Sequence, residues 1–336
     1  MYAAFVRAFL ATTVVAVLLI VGLGRLVDPF GHFSPGYTTY PDFTVDPKER
    51  FNQSAFLLNR ALFKLVNFEK YAAEASAAGT PLRLVVGDSL AREVDTRALE
   101  RYDGRPWYSL AYGSATLGEM LVLIDELLAN HDVEEIIWVL PFTRLAESYK
   151  NLMPDAVTAA RHSYQHLRTF EHARAVFYTL RHRWLGLPFT DTVDPRRVEV
   201  DLRDAATIVS DLQDLWAERS FAAIDRAITR AEAAGVRVVL LTPPVTPELK
   251  HLFDNELSAR YAAYRAFVQR YCLIDEAELR PEGWPTELFA DAYHLQRAAF
   301  TDFNRRLVEA LPNACGQNAT PPAPPPLPDK LAASAE

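Results

Sequence analysis

From Pro81 onward the chain alternates short apolar runs with helix-like segments, and this alternation restricts the fold more than any other feature. The runs are "LRLVVG", "PWYSLAYG", "VEEIIWVLPF", "VRVVLLTPP" and "CLIDEA". Between them lie "LAREVDTRALERY", "ATLGEMLVLIDELLAN", "FAAIDRAITRAEAAG" and "ELSARYAAYRAFVQRY", and "DAYHLQRAAFTDFNRRLVEAL" closes the series as a helix. A short, continuously apolar run fits a strand covered on both faces. Strands alternating with helices predict an α/β domain: a parallel sheet with helices on both sides. In such a sheet a ligand binds beyond the carboxyl ends of the strands, where the strand order reverses.

Two regions depart from the alternation. Thr143 to about Ser220 holds no convincing strand, only helical stretches around "GLPFTDTVDPRR". An insertion there, at the end of a strand, would cap the site. At the other extreme, Ala8 to Gly24 has no charged residue over 17 positions and is flanked by Arg7 and Arg25. That is the short end of a membrane span. An uncleaved anchor is the preferred reading; a signal peptide cut near Gly22 and Gly24 is the alternative. The simplest topology then leaves the main domain outside the cytoplasm. Pro, Gly and aromatic residues in "VDPFGHFSPGYTTYPDF" suggest an irregular stem, followed by a helix over about 50–78. The tail "QNATPPAPPPLPDKLAASAE" should be extended or disordered.

The net charge of −8 argues against a nucleic-acid partner. Cys272 and Cys315 are the two cysteines, with no CxxC or Cys/His cluster to suggest zinc. In an exported domain they can pair; otherwise they are independent thiols. His162 and His166 have a metal-ligand spacing, but no third ligand is evident, so no metal is expected. Several His and Arg residues in the same insertion make either a solvated face or a surface for anionic polysaccharide or lipid headgroups.

Ser89 directly follows the strand "LRLVVG" at the start of a helix-like pattern. It is either an N-cap or a nucleophile at the strand's carboxyl edge, where helix N–H groups favour negative charge. Arg92, not Glu, stands where a capping box would need an acid. A nucleophilic serine needs a base. His294 in "FADAYHLQRAAF" lies after the last strand, with Asp291 three residues earlier. That spacing can place a carboxylate under the imidazole.

Gly87-Asp88-Ser89-Leu90 reads GDSL, "YSLAYGSATLGEM" is similar to a second block of strand and Gly, and "DAYHL" to a terminal D-x-x-H block, in the matching chain order. Over roughly Pro81 to Leu311 the chain resembles the SGNH/GDSL hydrolase superfamily. Its anchor and "VDPFGHF" stem are similar to membrane-anchored SGNH-like envelope proteins, such as alginate acetylation and D-alanyl transfer proteins. The resemblance implies a flavodoxin-like three-layer domain over 81–312, with the helical cap at about 143–220. Residues 1–27 would be the anchor, 28–80 the stem and helical lead-in, and 313–336 the tail.

The resemblance further implies acyl-ester chemistry without a cofactor. Ser89 would be nucleophile, His294 general base and Asp291 its orienting carboxylate. The backbone N–H groups of Ser89 and Gly113 would form the oxyanion hole. The family's third block supplies an Asn to that hole; here the strand runs into Thr143 and Arg144 instead. Either one replaces the donor, or the hole has two backbone donors and the enzyme is weak or inactive. Asp88, Arg92, Tyr112 and Tyr293 are placed as substrate contacts, although most aromatics near the strand ends should be core. The implied setting is the periplasmic side of the inner membrane. There an integral-membrane O-acyltransferase would supply the acyl group and a polysaccharide would accept it. An esterase, or a non-catalytic component of a polysaccharide assembly, are the alternatives.

Overall fold

In the computed structural model of the chain, the apolar runs pair into one fully parallel, five-stranded sheet. The structure describes residues 2–33, 60–113, 115–145, 170–185, 210 and 219–315. Its helices and strands begin with α1 (Tyr2–Val27), α2 (Arg60–Ala77), β1 (Leu82–Val86), α3 (Thr96–Asp103), β2 (Tyr108–Ser109), α4 (Leu117–Asn130) and β3 (Val133–Val139). They continue with α5 (Phe170–Leu185), α6 (Arg219–Ala233), β4 (Arg237–Leu241), α7 (Pro247–Asn255) and α8 (Ser258–Val268). After these come β5 (Leu273–Ile274), the single turn α9 (Glu276–Leu279) and α10 (Phe300–Ala310).

Strand order is β2-β1-β3-β4-β5. This is the flavodoxin-like arrangement, in which the connections leave β1 and β3 in opposite directions and open a crevice at their carboxyl ends. Alternate residues of each strand enter two different cores. Leu84, Val86, Ile136, Trp138, Val238 and Leu240 pack with the buried faces of α2, α4, α6 and α8. Val85, Ile137, Val139, Val239, Leu241 and Ile274 pack on the other side with Leu99 of α3 and Phe303 and Leu307 of α10. The central strands thus lose water on both faces, which is why Leu84–Val86, Ile136–Val139 and Val238–Leu241 are apolar without alternation.

α1 is 26 residues long and apolar enough to cross a bilayer. The Asp28 carboxylate after it accepts the Phe33 amide at 2.9 Å. A disulfide joins Cys272 to Cys315 and holds the chain after α10 to the start of β5.

Four expectations are corrected. The segment after Ser89 is not one helix: a 3₁₀ turn, Leu90–Glu93, is followed by extended Val94, and α3 then starts afresh. The Asp95 carboxylate causes the restart by accepting the Arg97 amide at 3.0 Å. The helix expected around "ELSARYAAYRAFVQRY" is preceded by a separate one, α7, capped by Thr246 with Pro247 in its first turn. The closing helix begins only at Phe300. The strand in "PWYSLAYG" is two residues long. Most of the proposed cap, including His162 and His166, lies outside the described residues, as do most of the stem and the tail. No group able to hold a metal occurs among the described residues.

Candidate active site

Three loops at the carboxyl ends of the strands meet here. β1 ends in Gly87, whose φ of +155° is unusual for any residue with a side chain. A Cβ there would stand 2.6 Å from the Ala91 Cβ and 3.0 Å from the Val139 carbonyl oxygen. Glycine therefore lets the 3₁₀ turn fold back against β3, and this fold-back presents Ser89 at the sheet edge. Ser89 is half-buried with φ −59° and ψ −30°, and its side chain makes no capping bond. The turn after it is four residues long, so the helix-terminus argument for Ser89 does not apply.

The hydroxyl meets His294 instead, 2.8 Å from Nε2. On the far side of the ring, Nδ1 lies 2.7 Å from Asp291 Oδ2. The tautomer that satisfies both contacts carries its proton on Nδ1 and accepts the Ser89 proton on Nε2. Asp291 Oδ1 accepts the amides of Tyr293 (3.0 Å) and His294 (2.8 Å). These bonds curl the D-x-x-H segment into a turn, and a bridge between Phe289 and Leu295 closes its base. Burial alone would raise the Asp291 pKa. The hydrogen bond and charge of His294, with the two amides, outweigh it and hold the carboxyl below its usual value.

Gly113 is buried just past β2. β1 and β2 pair with a constant offset, Leu84 with Tyr108 and Val85 with Ser109. The pairing continues past both strands as far as Gly87. The Tyr112 amide still donates to the Gly87 carbonyl at 3.4 Å. Among the described residues, nothing accepts a hydrogen bond from the amides of Ser89 or Gly113. Unengaged backbone amides are the kind of donor an oxyanion requires.

The remaining predicted residues fall in several places. Asp88 is 1% exposed; one oxygen accepts the Leu90 amide at 2.9 Å and the other pairs with the Arg144 guanidinium. This pair ties the Ser89 turn to the loop after β3. Asp88 is buried in this contact, while the Arg144 side chain stays partly exposed. Tyr112 is 5% exposed in the core and donates its hydroxyl to Glu119 at 3.3 Å, so it offers no face to a sugar. Arg92 lines a cavity of about 400 Å³ with Glu93, Asp95 and Phe300, and none of Ser89, Asp291 and His294 lines it.

Thr143 and Tyr293 share a smaller cavity, also unlined by Ser89, Asp291 or His294. It measures about 20 Å³, and Leu90, Thr242, Tyr261 and Glu276 line it with them. The Tyr293 ring lies 4.4 Å from that of His294. Glu276 was not anticipated, because "CLIDEAEL" reads as a strand end. Burial, opposed by Lys250 and reinforced by Asp275, raises its pKa to about 7. Glu93 and Asn304, both buried, carry no local signal in "LAREVD" or "TDFNRR" that would single them out.

Fold and site together define a parallel α/β domain with a Ser-His-Asp hydrogen-bonded chain at its strand ends. No family model matches the sequence, and no curated protein matches it. Among solved structures, a Bacteroides fragilis NCTC 9343 protein provisionally named an acylhydrolase is 13% identical, covering 74% of this chain and 97% of its own, with a TM-score of 0.37. A Streptococcus pneumonia protein provisionally named a platelet activating factor is 14% identical, covering 76% and 94%, with a TM-score of 0.38.

Proposed function

We propose that the chain performs acyl-ester chemistry with Ser89 as nucleophile, His294 as general base and acid, and Asp291 as the orienting carboxylate. The observation that carries this reading is the unbroken contact chain of 2.8 and 2.7 Å from hydroxyl to imidazole to carboxylate. Ser89 Oγ forms a bond to the acyl carbon as its proton passes to Nε2, and the carbonyl π pair moves onto oxygen. The amides of Ser89 and Gly113 hold that oxyanion; one such donor is worth about 3–4 kcal/mol. Collapse breaks the bond to the leaving oxygen, which takes the proton from His294. An acceptor hydroxyl then gives its proton to Nε2 and attacks the acyl-enzyme, releasing Ser89.

The acceptor is most specifically a hydroxyl of an envelope or exported polysaccharide, and the acyl group is acetyl. The apolar α1, long enough to cross a bilayer, supports this choice: as an anchor it would tether the domain on the periplasmic side, beside a membrane-embedded acyl donor. With water as acceptor the same residues make an esterase. The direct Ser89–His294 contact favours either over a purely binding role.

Hydrolysis of p-nitrophenyl acetate by the wild type and Ser89→Ala tests the reading. Loss of turnover by at least ~10³-fold in the variant is expected, the scale seen when a nucleophile is removed. Equal rates would remove Ser89 from the mechanism. Adding acetylated and unacetylated polysaccharide to the active enzyme then separates transfer from hydrolysis.

A further inference from the structure

The Glu93 carboxyl is buried between the two loops that carry Ser89 and His294, yet no step above uses it. Glu93 closes the 3₁₀ turn that begins immediately after Ser89 and is 3% exposed. Its Oε1 accepts the amide of Leu295, the residue after His294, at 2.9 Å, across 202 positions of sequence. Its own carbonyl accepts Asn304 Nδ2 at 2.8 Å, and Asn304 Oδ1 accepts the Asp95 amide at 2.7 Å. Turn, histidine loop and α10 are thus fastened at one residue.

Oε2 has no hydrogen-bond partner among the described residues. A single amide is poor solvation for a buried carboxylate. Burial pushes the Glu93 pKa well above its usual value; the Leu295 amide opposes this, and the charges of Asp291 and Asp88 add to it. Burial and its acidic neighbours thus both disfavour the charged form of this carboxyl. An apolar side chain of the same length would fill the space without the desolvation cost. What it would lack is an acceptor for the amide that follows His294.

We propose that Glu93 is a positioning residue for His294, tying the amide after the imidazole to the turn that holds Ser89. The inference rests on the assignment of Ser89 and His294 as nucleophile and base. Rigid spacing matters there because a displacement of about 1 Å can cost ~100-fold in rate.

The test compares kcat and KM on p-nitrophenyl acetate, and the rate of Ser89 labelling by a fluorophosphonate, for full-length variants normalised to folded protein. Glu93→Gln keeps an acceptor oxygen at the same reach, and should retain kcat within about threefold. Glu93→Ala should lower kcat and the labelling rate by ~10–100-fold with KM within about twofold. Glu93→Asp, which withdraws the acceptor by one methylene, should also slow both; it keeps the comparison intact if the alanine variant fails to fold. Wild-type kcat and labelling in the Ala and Asp variants would overturn the proposal, as would a Gln variant that falls as far as Ala. Ser89→Ala separates the two levels. Turnover equal to wild type there removes the parent assignment, whereas an inactive Ser89→Ala beside unaffected Glu93 variants removes only the role of Glu93.

Discussion

Gly87→Ala should damage this protein far more than the loss of one hydrogen atom suggests. The new Cβ would lie 2.6 Å from the Ala91 Cβ, 3.0 Å from the Val139 carbonyl oxygen and 3.2 Å from the Val139 Cβ. Neither neighbour has a flexible end to withdraw. Ala91 sits in the 3₁₀ turn and Val139 is the last residue of β3, both fully buried. Forcing a methyl group into packed surroundings costs roughly 1–3 kcal/mol. Holding a non-glycine residue in a sparsely populated backbone region costs roughly another 1–3 kcal/mol. The sum, about 4 kcal/mol, is a large share of the ~5–15 kcal/mol that stabilises a typical domain.

Denaturant unfolding followed by fluorescence of the buried Trp107, Trp138 and Trp284 reads this loss as a lower midpoint at unchanged slope. Gly235→Ala is the control. Gly235 has φ +81° but nothing within 4 Å of its added Cβ, so only the backbone cost applies, about 1–2 kcal/mol. Gly87→Ala costing less than about 1 kcal/mol, or no more than Gly235→Ala, would refute the argument that close approach makes glycine necessary beneath Ser89.

Two further outcomes follow from the geometry. The Cys272–Cys315 bond closes a separation of 43 residues, so its reduction, or Cys272→Ser with Cys315→Ser, should cost about 4 kcal/mol by loop entropy; an unchanged thermal midpoint under reductant would contradict this. Glu276 has a folded pKa of about 7 against 4.5 unfolded, so the native state holds its proton while the unfolded chain releases it. Its contribution is therefore full below about pH 4.5 and is lost as pH rises through 7, amounting to about 3 kcal/mol; Glu276→Gln should remove that slope in unfolding measurements at several pH values, and an identical slope in the variant would disprove the assignment.

The features legible in the sequence share a physical cause: each is local in the chain. Burial of both strand faces writes itself as an unbroken apolar run, as in Leu84–Val86 and Val238–Leu241. Position after a strand placed Ser89 and Gly113 at the sheet edge, and a three-residue spacing sufficed to pair Asp291 with His294. The illegible features depend on distant partners. Arg144 reads only as a candidate oxyanion donor; its pairing with Asp88, 56 residues earlier, has no local signature. Tyr112 reads as an exposed aromatic until Glu119 and the α4 face bury it. "LAREVD" reads as one amphipathic helix because its periodicity does not show that Asp95 will cap a new one. The same error hid Glu93: on a continuous helix it would face water. The break at Val94 turns it inward instead, to an amide 202 residues away. A charged residue at a helix break next to a nucleophile is therefore better treated as a candidate buried acid than as a solvated one, because the break removes the periodicity that assigned it to the surface.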